Sequence, residues 1–196
     1  VGRGEAVLRV SALPLGVTHD AVIYDLDGTL VRLAVDWDTV TSDVATVLRE
    51  RNVEPESRDL WEMLTLSSET GHRDAVEAAI TDHERTGAHE SDRLALAEGL
   101  PHSVPVGVCS LNAEEACRAA LDVHDLDSYV GPVVGRDTVE SPKPDPEGLL
   151  AITDEIGVDP EATVFVGDSE SDATAAQRAG MTFEWASEFD QARYRA

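Results

Sequence analysis

Four short stretches of the chain are apolar without alternation: AVIYDL (21–26), VPVGVCS (104–110), TVFVGD (163–168) and MTFEW (181–185), with a weaker fifth, YVGPVVG (129–135). Each is rich in Val or aromatic residues and bounded by Gly, Pro or Asp, the pattern of strands covered on both faces. Between them apolar positions recur at helical spacing. Ala116, Ala119, Ala120 and Val123 share a stripe in NAEEACRAALDVH, and Leu149, Ile152 and Ile156 share another in DPEGLLAITDEIGV. SESDATAAQRAG opens on a Ser/Asp cap and stops at Gly180. Strand–helix–strand alternation predicts an α/β fold, a parallel sheet with right-handed crossovers and helices on both faces.

The pattern breaks after the first strand. From about residue 33 to 86 no strand signal occurs. Trp37, Val40, Val44, Val47 and Leu48 recur at helical spacing, ESRDLWEMLTL and GHRDAVEAAITDHERTG follow, and Pro55 and Gly71 punctuate the segment. The expected organisation is a core of residues 1–32 and 87–196, interrupted by a small helical insertion over 33–86. Residues 88–99 read as a core helix leading into the second strand. Repeats and low-complexity tracts are not evident.

Charge removes several partner classes. The 196 residues carry 39 Asp and Glu against 15 Lys and Arg, a formal net charge of -24. That field repels nucleic acid and anionic lipid, and no apolar run is long enough to span a bilayer. No basic region followed by an apolar core and small-residue cleavage site opens the chain, so a cytoplasmic location is expected. Residues 1–19 are assigned no chemistry. Cys109 and Cys117 are expected to be buried free thiols, one on a strand and one on a helix. The six His show no i, i+4 pair, and no CxxC accompanies them, which argues against a transition-metal site.

In open parallel sheets ligands sit beyond the carboxyl ends of the strands. The first strand ends in Asp25 and Asp27, followed by Gly28 and Thr29; the second in Ser110 and Asn112; the next in Asp168, followed by Ser169 and Asp172. Lys143 lies in SPKPDP, a loop stiffened by proline. Singly, each has a bland reading. Asp172 could cap its helix, Ser110 and Asn112 could cap theirs, Lys143 could be a surface lysine, and the Asp25–Asp27 pair a solvated turn. Jointly, carboxylates, an amine and a hydroxyl converge from four separate segments.

DLDGTL, CSLN, KPDP and GDSESD, in this order, resemble the four motifs of the haloacid dehalogenase superfamily, more narrowly its phosphoglycolate phosphatase-like branch, over about residues 20–185. The resemblance implies a Rossmann-like sheet with an α-helical cap inserted after the first motif, where 33–86 lies. It implies a Mg²⁺-dependent phosphatase of a small phosphate monoester, phosphoglycolate-like or a sugar phosphate. Asp25 would be the nucleophile, forming an aspartyl phosphate, and Asp27 the general acid and base. Ser110, with Thr29 and Asn112, would hold phosphoryl oxygens, and Lys143 would offset their charge. Asp25, Asp168 and the Asp27 backbone carbonyl would ligate Mg²⁺, with Ser169 and Asp172 in support. The implied partner is a small phosphorylated metabolite; monomer and dimer both stay open.

Dehalogenases of the superfamily also use the first aspartate but need no metal and lack an acid two residues on, so Asp27 points to phosphoryl chemistry. A phosphomutase shares all four motifs and stays open. Outside enzymes, so does a non-catalytic phosphate-binding or structural relative. The branch often follows DLDGTL with an acidic residue and a serine, whereas VRLAVDW stands here. Arg32 is therefore expected either to face the cleft and pair with a second anionic group of the substrate, or to balance surface acids.

Among the cationic residues only Lys143 is lysine. Scattered acid with arginine in place of lysine resembles the proteins of salt-loving archaea that keep molar salt in the cytoplasm. Raising KCl from ~0.1 M to above ~1 M, where the Debye length falls to ~3 Å, should therefore raise the melting temperature by screening self-repulsion. A flat or falling melting temperature over that range would count against the halophilic reading.

Overall fold

A computed structural model describes residues 19–56 and 58–195. Of the residues assigned no chemistry, 1–18 therefore lie outside the described residues. Five parallel strands form the central sheet: β1 (Ala21–Tyr24), β4 (Val106–Cys109), β5 (Val133–Val134), β6 (Thr163–Gly167) and β7 (Thr182–Trp185), in the order β5-β4-β1-β6-β7. Two short strands, β2 (Val31–Arg32) and β3 (Asp92–Arg93), pair antiparallel beside it.

The unalternating apolar runs are explained by burial on two sides. Val22 and Tyr24 of β1 join Val164 and Val166 of β6 in one cluster with Cys117, Ala120 and Leu121 of α4 (Glu114–Val123). Ile23 and Phe165 face the other way, onto Leu149 and Ile152 of α5 (Glu147–Ile156) and Ala175 and Ala176 of α6 (Glu170–Ala179). Each large side chain buried this way contributes ~1.5–3 kcal/mol. α5 and α6 end at Gly157 and Gly180, both in the left-handed conformation that glycine adopts without a Cβ clash.

Several expectations need correction. Residues 88–99 are not one helix: α3 (Arg73–His89) ends there, Asp92–Arg93 form β3, and Ala95–Gly99 form a 3-10 turn. Pairing with β2, extended by the Leu94 N–H donating to the Leu30 carbonyl at 2.9 Å, overrides the local helical propensity of LALAE. Only Val133–Val134 of the 129–135 run is strand, because Pro132 has no N–H to donate and Tyr129 sits exposed in a preceding 3-10 turn. The buried stripe of α4 is Ala116, Cys117, Ala120 and Leu121, which leaves Val123 exposed. Both cysteines are buried and free.

Between β2 and β3 lie α1 (Trp37–Arg49), α2 (Leu60–Glu69) and α3. The Asp36 carboxylate accepts the Asp38 and Thr39 amides at the start of α1, and Asp59 with Glu62 makes a capping box on α2. Val40, Val44 and Leu48 pack with Leu60, Met63, Val76 and Ile80 in a cluster separate from the sheet's. Trp37, expected in that stripe, is exposed instead. Leu48 is fully buried there, so Leu48→Ala should cost roughly 2–5 kcal/mol of unfolding free energy in urea titration. A loss below about 1 kcal/mol would show that this cluster collapses around the gap.

Candidate active site

Strand order assembles the site. β1 lies at the centre with β4 and β6 on either side, so the residues just past their carboxyl ends, Asp25, Ser110 and Asp168, become neighbours. The Asp25 amide donates to the Val166 carbonyl at 2.8 Å and the Ser110 amide to the Val134 carbonyl at 2.9 Å, which carries the sheet's register into the site.

Lys143 enters from the loop between β5 and α5. Its ammonium donates to Asp25 Oδ1 at 2.8 Å and Asp172 Oδ1 at 2.5 Å, and all three side chains are buried. The loop is clipped from outside: Glu147 accepts the Glu140 and Ser141 amides at 3.0 and 2.9 Å, and Arg178 donates to the Pro144 carbonyl at 3.0 Å. Asp172 does cap its helix, as the bland reading allowed, through a capping box with Ser169. It also holds Lys143. Its Oδ2 accepts the Ser169 amide at 3.0 Å and hydroxyl at 2.6 Å, so both carboxylate oxygens are engaged.

Burial pushes the Asp25 carboxyl above the usual carboxylate range; Lys143 pulls it back and Asp172 pushes it up again. Burial alone would favour a neutral Lys143 amine, yet the adjacent carboxylates, Asp25 foremost, hold its pKa above the ordinary value. The lysine therefore stays charged, and the carboxylates depend on it.

After β1 the chain makes one tight turn, with the Leu30 and Val31 amides both donating to the Leu26 carbonyl. Gly28 sits there at φ +87°, and a Cβ on it would lie 2.1 Å from Asp168 Oδ2, so glycine is required twice over. The turn aims Asp27 along β2, where its Oδ1 accepts the Leu33 amide at 2.8 Å. Burial raises the Asp27 pKa while that hydrogen bond opposes the rise. The Thr29 hydroxyl is buried and has no partner among the described residues. Arg32 is exposed on β2 and does not line the cavity over Asp25, although it lies near enough to stabilise the charges of Asp27 and Asp168.

Ser110 and Asn112 do not cap α4, whose N-cap is Ala113 without a side-chain bond. The Ser110 hydroxyl donates to Asn112 Oδ1 at 3.1 Å, and Asn112 Nδ2 donates to Glu84 Oε1 at 3.1 Å. Asp25, Asp27, Ser110, Asn112, Lys143, Asp168, Ser169 and Asp172 all border one cavity of about 160 Å³. Trp37 and Trp61, from the starts of α1 and α2, border it from the helical side. Trp61, Leu111 and Lys143 also border an adjoining cavity of about 590 Å³, whose other walls include Leu64, Arg73, Pro142 and Pro144.

The donor set suits a hard cation. One carboxylate oxygen from each of Asp25, Asp168 and Asp172 lies within 4.8 Å of the others. Three carboxylates facing one ammonium leave surplus negative charge, and an all-oxygen set suits a hard divalent ion such as Mg²⁺. Since both Asp172 oxygens already accept hydrogen bonds, Asp25 and Asp168 are the better placed ligands.

Sequence reasoning did not single out Glu84, Arg136 or the cavity-facing role of Trp37 and Trp61. Trp37 shares the helical spacing of Val40, Val44 and Leu48, which points to a core position. Glu84 and Arg136 looked like any surface charge in a helix and a loop.

Residues 22–186 match the family model described as haloacid dehalogenase-like hydrolase. The chain is 33% identical over 187 residues to a phosphoglycolate phosphatase of Rhodospirillum rubrum, covering 82% of this chain and 76% of that protein. It is 29% identical over 186 residues to phosphoglycolate phosphatase 1 of Pseudomonas aeruginosa, covering 82% of this chain and 66% of that one. The chain thus spans about two thirds to three quarters of the length of these relatives. The crystal structure of a HAD-superfamily hydrolase, subfamily IA, variant 1, from Geobacter sulfurreducens superposes with a TM-score of 0.56 at 25% identity, covering 88% of this chain and 89% of that one.

Proposed function

The chain belongs to the haloacid dehalogenase-like hydrolase family, and from that premise we propose that it is a phosphatase acting on a small phosphate monoester through an aspartyl-phosphate intermediate on Asp25. The observation that carries this reading is the convergence of Asp25, Asp27, Ser110, Lys143 and Asp168 on one cavity at the carboxyl edge of the sheet. A phosphate monoester dianion repels nucleophiles, so a site for it needs fixed positive charge and fixed geometry more than new covalent chemistry.

Asp25 attacks phosphorus and the bond to the leaving alkoxide breaks. Asp27, whose burial favours its protonated form, gives its proton to that alkoxide. In the second half-reaction Asp27 takes a proton from water as the water attacks phosphorus. The bond to Asp25 then breaks and inorganic phosphate leaves. Ser110, its hydroxyl proton turned from Asn112 Oδ1 toward the substrate while Oγ still accepts the Asn112 amide, holds a phosphoryl oxygen, and Lys143 keeps Asp25 oriented while offsetting charge on the phosphoryl group. Asp25 and Asp168, with the Asp27 backbone carbonyl, would hold Mg²⁺, and Asp172 and Ser169 would keep Lys143 and the loop after β6 in place. When bound, that ion supplies neutralisation of phosphoryl charge.

The helical unit of α1–α3 serves as the cap, and its cavity beside Trp61 receives the alcohol part of the ester. At about 590 Å³ that space exceeds what glycolate alone would fill, which supports a phosphorylated metabolite up to the size of a sugar phosphate. The relatives' names support phosphoglycolate as the first ester to assay. Arg32 would act only on a substrate long enough to reach the β2 strand.

Two substitutions test the site with Mg²⁺ and a panel of phosphate monoesters. Asp25→Asn should abolish phosphate release while the fold is kept; appreciable turnover by a pure, sequence-verified variant would sink the covalent mechanism. Lys143→Arg should lose ~10²-fold or more in kcat/KM, equivalent to roughly 3 kcal/mol, because a planar guanidinium does not fit where a compact ammonium meets two carboxylates. Near-normal turnover there would mean that position 143 supplies charge alone.

A further inference from the structure

Arg136, two residues past β5, is completely buried, yet it does not border the cavity over Asp25. Its guanidinium donates from Nε to Glu77 Oε2 at 2.8 Å, and from Nη1 to Glu84 Oε1 at 2.6 Å and to the Leu111 carbonyl at 2.8 Å. Its backbone amide donates to the Asn112 carbonyl at 3.1 Å. Glu84, on α3, is equally buried, and its carboxylate accepts Asn112 Nδ2 at 3.1 Å and the Ala113 amide at 3.0 Å. Asn112 in turn fixes the Ser110 hydroxyl through its Oδ1 at 3.1 Å, and its own amide donates back to Ser110 Oγ at 3.2 Å. The Leu111 carbonyl, the Asn112 carboxamide and the Ala113 amide are thus held by the side chains of that one ion pair.

Such a pair is a poor device for stability alone. Desolvating a guanidinium and a carboxylate offsets most of their attraction, and apolar replacements of similar volume are often as stable. What an apolar pair would not supply is direction: the Leu111 carbonyl, the Ala113 amide and the Asn112 carboxamide would lose the side-chain partners that hold them. We propose that Arg136, acting through Glu84, is a positioning residue for the reaction, fixing Ser110 and Asn112 at the phosphoryl end of the site from helix α3. This rests on the phosphatase reading above. It goes beyond that reading in making the phosphate-holding loop depend on a helix of the cap. Glu77 extends the chain of contacts, since its Oε1 accepts Arg73 Nη2 at 3.2 Å, and Arg73 borders the larger cavity.

The test uses the full chain with p-nitrophenyl phosphate as substrate and inorganic phosphate as competitive probe. Arg136→Lys and Glu84→Gln keep similar volume and are compared with wild type by kcat, KM, phosphate inhibition and amide hydrogen exchange over residues 110–113. The expected result is a fall in kcat/KM of about 10- to 100-fold, weaker inhibition by phosphate and faster exchange of the Ala113 amide, in protein that still unfolds cooperatively. A merely structural pair would lower the melting temperature and leave the kinetic constants of the folded protein and the exchange of 110–113 unchanged, which would overturn the proposal. If one variant fails to fold, the other decides. Wild type that releases no phosphate from any ester would refute the phosphatase reading, and the exchange comparison would still decide whether Arg136 and Glu84 order the loop.

Discussion

The site depends on one ammonium held between two buried carboxylates. Lys143 lies within hydrogen-bond reach of Asp25 and Asp172, and each of the three would be costly to bury alone. Removing the lysine would leave two carboxylates facing each other beside a third, Asp168. The constraint explains much around it. The loop that carries Lys143 is tied by Glu147 and Arg178, and Asp172 is fixed by Ser169 on its other oxygen. Phe165 lies beneath the ammonium, with its ring centroid 5.3 Å away.

The sheet supplies the rigidity that makes this arrangement affordable. Asp25, Ser110 and Asp168 are each the first residue after a strand whose own residues are buried on both faces. Their positions are therefore set by backbone register and do not rely on loop conformation. The remaining components of the site lie outside the sheet: the β2–β3 pair that orients Asp27, and the three-helix unit whose tryptophans border the cavity. Arg136 and Glu84 join these two levels, because one comes from the sheet side and the other from α3.

The strands and the strand-end residues were legible in the sequence because both follow from short-range patterns. Unbroken apolar runs such as AVIYDL and TVFVGD announce two-sided burial, and the carboxylates that end them, each explicable alone as a turn or cap, point jointly to one shared edge. What escaped was decided by contacts distant in sequence. Residues 92–94 give up helix because Leu30 and Val31 offer pairing partners far earlier in the chain. Trp37 matches a core stripe by spacing, yet it is exposed and borders the cavity. Glu84 and Arg136 lie 52 positions apart, and nothing local distinguishes a buried pair from two solvated charges. The acidic composition that dominates the sequence says nothing of the fold; it is a surface property, set against the one lysine that the site retains.

The most direct test of the central claim is to trap the intermediate. Enzyme mixed with Mg²⁺ and a rapidly hydrolysed phosphate monoester, quenched in acid and digested, should yield the peptide containing Asp25 with a phosphoryl group on that residue. With p-nitrophenyl phosphate, whose leaving group needs no proton from Asp27, the label should accumulate further in Asp27→Asn, where water is no longer activated for the second step. A phosphoryl group found on another residue, or no phosphoenzyme at any quench time while phosphate is released, would contradict the account.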